Sequence, residues 1–173
     1  MRSLHITAAF ALAMVIIIVS SNILVQYPLG DWLTWGAITY PFSFLVVDLA
    51  NRYHGPQAAR RIVYVGFIFA VVLSAWLATP RIAVASGTAF LCAELLDVTV
   101  FNRLRRRIWW QPPLVSTLAA SVLDTAIFFS LAFAGTGVPW VTLAVGDFGV
   151  KLAIALFALL PFRLALNLVR PAN

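Results

Sequence analysis

The stretch Glu94–Arg107, ELLDVTVFNRLRRR, restricts the folds open to this chain more than any other. It sets two carboxylates, Glu94 and Asp97, inside a run apolar enough for a bilayer, and follows them at once with Arg103, Arg105, Arg106 and Arg107. Arginines directly after a hydrophobic span mark the cytoplasmic edge of a membrane helix, because cationic loops resist translocation. The carboxylates then lie at membrane depth, where an ionisable group is costly unless it faces a partner, a water-filled cavity or a ligand. Topology and a candidate site thus come from the same residues.

Composition points the same way. Apolar residues make up 62% of the chain and charged residues 10%, against roughly 45–50% and roughly 25% in soluble domains. A soluble fold of 173 residues could not hide that much apolar surface. The 12 Lys and Arg against 6 Asp and Glu do not indicate a nucleic-acid partner, because the basic residues sit in short clusters beside hydrophobic runs and not along one polar face. The single cysteine, Cys92, lies within a span, which leaves no disulfide framework. His5 and His54 are distant from each other and from any acid cluster, so neither a metal site nor a cofactor is expected.

Six membrane helices are predicted, at about 5–26, 34–51, 62–78, 82–102, 114–134 and 140–160, within one membrane domain over 1–173. Each approaches the ~20 residues needed to cross ~30 Å of hydrocarbon. The first is read as a retained helix, since VSSN lacks a small-x-small cleavage pattern. Pro41 removes a backbone donor inside the second and predicts a kink or break. With the N-terminus inside, ten basic residues fall on the cytoplasmic side, only Arg81 falls outside, and Lys151 is within the membrane. That asymmetry predicts an all-α membrane protein with both termini cytoplasmic.

The polar residues at membrane depth supply the candidate sites. Asp147 and Lys151 are four apart on one helix and can form an ion pair that lowers the cost of burying either. Glu94 and Asp97 are three apart and share a face; two nearby carboxylates in low dielectric cannot both ionise cheaply, which makes them candidates for holding a proton. Asp124 has no cation within a turn of its own span, so its partner must come from another helix, from water or from a ligand. Asp48 is expected to pair with Arg52 or, with Glu94, to take part in proton coupling. Asn22 and Gln26, four apart, place two amides on one face. Trp35, Tyr40 and Trp140 fall at outer span ends and are read as interfacial belt residues, each able to stack on a planar ligand. Asp147-Phe148-Gly149 spells the kinase metal-binding tripeptide, but the accompanying kinase motifs are missing. No nucleophile elbow, HExxH or Walker sequence suggests an enzyme.

The chain resembles the queuosine precursor transporters, also grouped as vitamin uptake transporters, along nearly its whole length. The resemblance rests on SSN with LVQ (Ser20–Gln26), TWGA (Thr34–Ala37), PFxFLxxDL from Pro41 with Arg52 and Gly55, and ARRI (Ala59–Ile62). It continues through RIAxAS (Arg81–Ser86), LLDVxVFNRLR (Leu95–Arg105), Trp109-Trp110, STLxxSxxDT from Ser116 with Phe128 and Phe129, and Asp147 with Lys151. Glu94 lies outside that pattern.

The resemblance implies a bacterial inner-membrane importer of 7-deazaguanine bases, precursors of queuosine in transfer RNA. A guanine-like edge offers two adjacent N–H donors that one carboxylate, Asp124 or Asp97, can accept together. Asn22 or Gln26 would donate to the ring carbonyl, and an aromatic face would stack. The expected substrate-binding set is Asn22, Gln26, Trp35, Ser86, Asp97, Asp124, Asp147 and Lys151. The expected partners are a purine-like small molecule and the lipid bilayer. A homodimer is a further arrangement open to the chain. Two other readings compete: a binding subunit with a separate energising module docked on the Ala9 and Ala13 surface, and a structural membrane protein whose acids only pair internally.

Overall fold

The computed structural model describes residues 2–24, 27–29 and 33–168. Helix α1 (Arg2–Leu24) is followed by a two-residue antiparallel pair, β1 (Pro28–Leu29) with β2 (Leu33–Thr34). Then come α2 (Trp35–Thr39), α3 (Phe42–His54), α4 (Pro56–Leu77), α5 (Pro80–Leu104), α6 (Gln111–Phe133) and α7 (Trp140–Leu168). Helices α4, α5, α6 and α7 are long and apolar enough to cross a membrane, and Ala8–Leu24 of α1 is a shorter apolar segment. The predicted second span is a broken helix, α2 and α3, interrupted at Tyr40 and Pro41 as the proline requires. This is the all-α, six-pass bundle that the hydropathy pattern predicts.

Span boundaries shift for local reasons. The fourth helix begins at Pro56, six residues before the predicted start at Ile62, because Gly55 turns the chain at φ 82° and Pro56 opens the next helix directly. Arg60 and Arg61 are therefore helical and exposed, not parts of a loop. At the opposite end the Thr79 hydroxyl caps α5 by accepting from the Ile82 amide, with Pro80 in the first turn. The last span, predicted to end at about 160, continues through Pro161 as α7 to Leu168. A proline can interrupt a membrane helix without ending it when neighbouring groups absorb the lost bond.

The helices form a ring. α1 packs on α4, α4 on α5, α5 on α6 and α6 on α7, while α2 and α3 touch both α1 and α7 and so close it. The apolar core joins α1, α3, α4 and α5 through Met14, Ile18, Val47, Ile62, Val63, Phe90 and Val98. Gly66 permits the close α1–α4 approach, since a Cβ there would stand 2.7 Å from Met14 Cγ. Residues Ala85, Ala89 and Ala93, four apart on α5, are all buried and present a small-residue ridge to the bundle.

At the arginine-rich end Arg105 ties α5 to α3. Its guanidinium donates to the Asn51 carbonyl (2.6 Å) and the Arg52 carbonyl (2.6 Å), while Arg52 donates back to the Arg105 carbonyl (2.9 Å). Both carbonyls belong to the last turn of α3, where the Asn51 carbonyl also accepts from the Gly55 amide (2.9 Å). An Arg105→Lys variant loses the planar fork that reaches both, and unfolds more easily in detergent by about 1.5–3 kcal/mol. Unchanged thermal stability would show the clasp to be incidental.

Candidate functional site

A cavity of about 680 Å³ occupies the half of the bundle away from the arginine clusters. It reaches Ala78 and Thr79 at the α4–α5 turn and ends, inside the bundle, at Tyr40, Asp124 and Lys151. Phe90, Phe128, Phe129 and Phe133 give it an aromatic wall. Phe128 and Phe129 stand nearly perpendicular with ring centres 5.1 Å apart.

The polar wall is built on α6 and α7. Lys151 donates to Asp124 Oδ2 (2.6 Å), to Asp147 Oδ2 (2.5 Å) and to the Thr125 hydroxyl (3.0 Å). Thr125 in turn donates to Asp147 Oδ2 (2.8 Å). Asp147 and Lys151 meet because they are one helical turn apart. Asp124 is brought to Lys151 by α6–α7 packing, which supplies the interhelical cation its own span lacks. Lys151 is only 3% exposed, so the two carboxylates offset a desolvation cost that neither bond alone would meet.

Tyr40 forms the floor. Its hydroxyl donates to Asp124 Oδ1 (3.0 Å), its ring lies edge-on to Phe44 and Phe90, and the Lys151 ammonium sits 5.6 Å from its centre. The reading of Tyr40 as a belt residue is thereby corrected. The break before Pro41 turns this ring inward, a consequence that hydropathy does not encode.

The expected site residues separate into groups. Asn22, Ser86, Asp124, Asp147 and Lys151 all line the cavity. Asn22 donates to its own helix at the Ile18 carbonyl and accepts from Ser74 (3.2 Å), which places both side chains at the α1–α4 side of the cavity. Trp35 is half-exposed and is not among the described lining residues. Gln26 lies outside the described residues. Asp97, Glu94 and Asp48 are buried deeper, below the floor.

Asp48 does not pair with Arg52. It accepts instead from the Ser116 (3.2 Å) and Thr117 (3.3 Å) hydroxyls of α6, while Arg52 reaches the backbone of Arg105. Although four apart, Asp48 is turned into the bundle and Arg52 stands at the helix end, so packing separates them. Among the described residues the only ion pairs are those of Lys151. Phe90, Phe133 and Ser74 are the parts of this site that the sequence did not single out.

A bundle of apolar helices around an internal cavity with one polar wall, approaching one end, is the architecture of a small-molecule membrane transporter. Residues 34–79 and 74–166 match the family profile described as "Putative vitamin uptake transporter". The chain is 39% identical to the "Queuosine precursor transporter" of Escherichia coli (strain K12), over 84% of this chain and 79% of that protein. It is 32% identical to the "Probable queuosine precursor transporter" of Haemophilus influenzae, over 90% and 84%. A Bacillus subtilis protein of the same description is 27% identical over 73% and 68%. No solved structure matches. The chain belongs to the queuosine precursor transporter family, and is a multi-pass protein of the bacterial inner membrane.

Proposed function

We propose that this chain imports 7-deazaguanine bases, precursors of queuosine, through the cavity bounded by Tyr40, Asp124, Asp147 and Lys151. The observation that carries the reading is the pairing of an aromatic wall with a carboxylate wall in one cavity of about 680 Å³. That volume falls in the ~300–1,000 Å³ range of small-molecule sites. A flat heteroaromatic ring stacks on the phenyl side, and its two adjacent N–H donors meet a carboxylate on the other.

Both oxygens of Asp124 are engaged, one by Tyr40 and one by Lys151. The bonds of Asp147 among the described residues both use Oδ2. The base therefore meets Asp147 Oδ1 first and competes with Lys151 and Tyr40 for Asp124. Asn22 and Ser74 line the same cavity as neutral polar groups. Two carboxylates against one ammonium leave an excess negative charge, which favours the cationic aminomethyl base over the nitrile base. Both termini in the cytoplasm, by the arginine asymmetry, open the cavity toward the outside.

The test is thermal unfolding of the purified chain in detergent with each base, guanine and adenine. At a free concentration of 100 Kd the aminomethyl base stabilises the protein by about 2.7 kcal/mol. Adenine, whose edge is complementary to a different acceptor pattern, leaves stability unchanged. Equal response to all four compounds would refute the carboxylate-reading site.

A further inference from the structure

A second polar group lies outside the described cavity lining. Phe44, Ala93 and Ala120 pack together with Tyr40, and Glu94, Asp97 and Asp48 are not among the described residues that line the cavity. Glu94 and Asp97 of α5 are 0% exposed, and none of their four carboxylate oxygens has a hydrogen-bond partner. The Ser43 and Ser121 hydroxyl oxygens, also 0% exposed, are equally without partners. A native interior rarely leaves so many polar atoms unpaired.

The arrangement lacks a counter-ion, and its four hydroxyls, on Ser43, Ser116, Thr117 and Ser121, are fewer than the six carboxylate oxygens of Glu94, Asp97 and Asp48. Asp48 faces Asp97, and its own oxygens accept from Ser116 and Thr117. Glu94 stands within electrostatic reach of Asp97 on one side and Asp124 on the other, with Ser43 beside it. Of the cations on the neighbouring elements, Lys151 is held by Asp124 and Asp147, and Arg52 and Arg105 are held by backbone carbonyls at the arginine end. Among the described residues no three His, Cys, Asp or Glu side chains assemble into a metal-ligand group. The ligand that supplies a donor to facing carboxyl groups, and lowers their charge without any further space, is a proton. A void of about 10 Å³ touching Asp48 and Thr117 is the size of one water molecule.

We propose that the Glu94, Asp97 and Asp48 cluster is the proton site of a proton-coupled import cycle. In that cycle a proton from outside bonds to a carboxylate oxygen of Glu94, passes to Asp97 and Asp48, and leaves to the cytoplasm as the base is released. One O–H bond forms and one breaks at each transfer, with no redox partner needed. Tyr40 links the two sites: a base that displaces it from Asp124 loosens the floor over Glu94. The direction of movement rests on the import reading; the proton site itself does not.

Two measurements separate these claims. Infrared spectroscopy of the purified protein, without any base, shows the carbonyl band of a buried protonated carboxylic acid at neutral pH, and Asp97→Asn and Glu94→Gln each remove part of it. A spectrum without that band, or one unaltered in both variants, overturns the proposal. In liposomes holding the purified chain, an acidic exterior raises uptake of the aminomethyl base about tenfold or more, with acidification of the lumen. Glu94→Gln keeps base-for-base exchange and loses the response to the gradient. Exchange that proceeds normally in wild type, with uptake indifferent to the gradient, also overturns it. If no base binds or exchanges, the import reading fails, and the infrared result still decides whether the acids hold a proton.

Discussion

Lys151→Met lowers the stability of the protein by about 3–5 kcal/mol, the range for removing one partner of a buried ion pair. The cause is the placement of the ammonium between two carboxylates whose side chains are only 7% and 15% exposed. Without it Asp124 and Asp147 face each other's charge in a poorly solvated wall, and Thr125 alone remains to donate to Asp147. The comparison that isolates this effect adds Asp124→Asn and Asp147→Asn to Lys151→Met. Removing all the charges together restores most of the lost stability while uptake remains abolished. Chemical denaturation in detergent reads the first effect and liposome uptake the second. A single Lys151→Met variant as stable as wild type would mean that the acids are not held by the lysine.

The second large effect concerns transport alone. Asp124→Asn reduces uptake of a 7-deazaguanine base by about 10- to 100-fold, since a charge-assisted bond contributes about 1.5–3 kcal/mol and each 1.4 kcal/mol is tenfold. Folding survives, because the asparagine oxygen still accepts from Tyr40 and Lys151 keeps Asp147. Uptake by the variant at the wild-type rate, with the protein inserted, removes Asp124 from substrate recognition. The two variants thus distinguish a residue that holds the site together from one that meets the guest.

Much of the architecture is legible along the chain because membrane helices answer to local rules. A run near 20 apolar residues must satisfy its own backbone, whatever it later packs against. Pro41 breaks the second pass wherever that pass lies, and the i, i+4 spacing of Asp147 and Lys151 guarantees that they can meet. Helix starts were less legible. Pro56 and Pro80 open helices among polar residues, where hydropathy registers a loop.

The amino-acid order by itself determined the succession of apolar helices, the broken second helix and the same-helix ion pair, since all depend on neighbours within a turn or two. Only the tertiary structure decided which helix answers each acid: Lys151 crosses from α7 to Asp124, Asp48 turns to Ser116 and Thr117 and not to Arg52, and Tyr40 leaves the interface to floor the cavity. Those choices follow from the rotation and spacing of packed helices, which are set by side-chain volume across interfaces, and one-dimensional spacing carries no record of it.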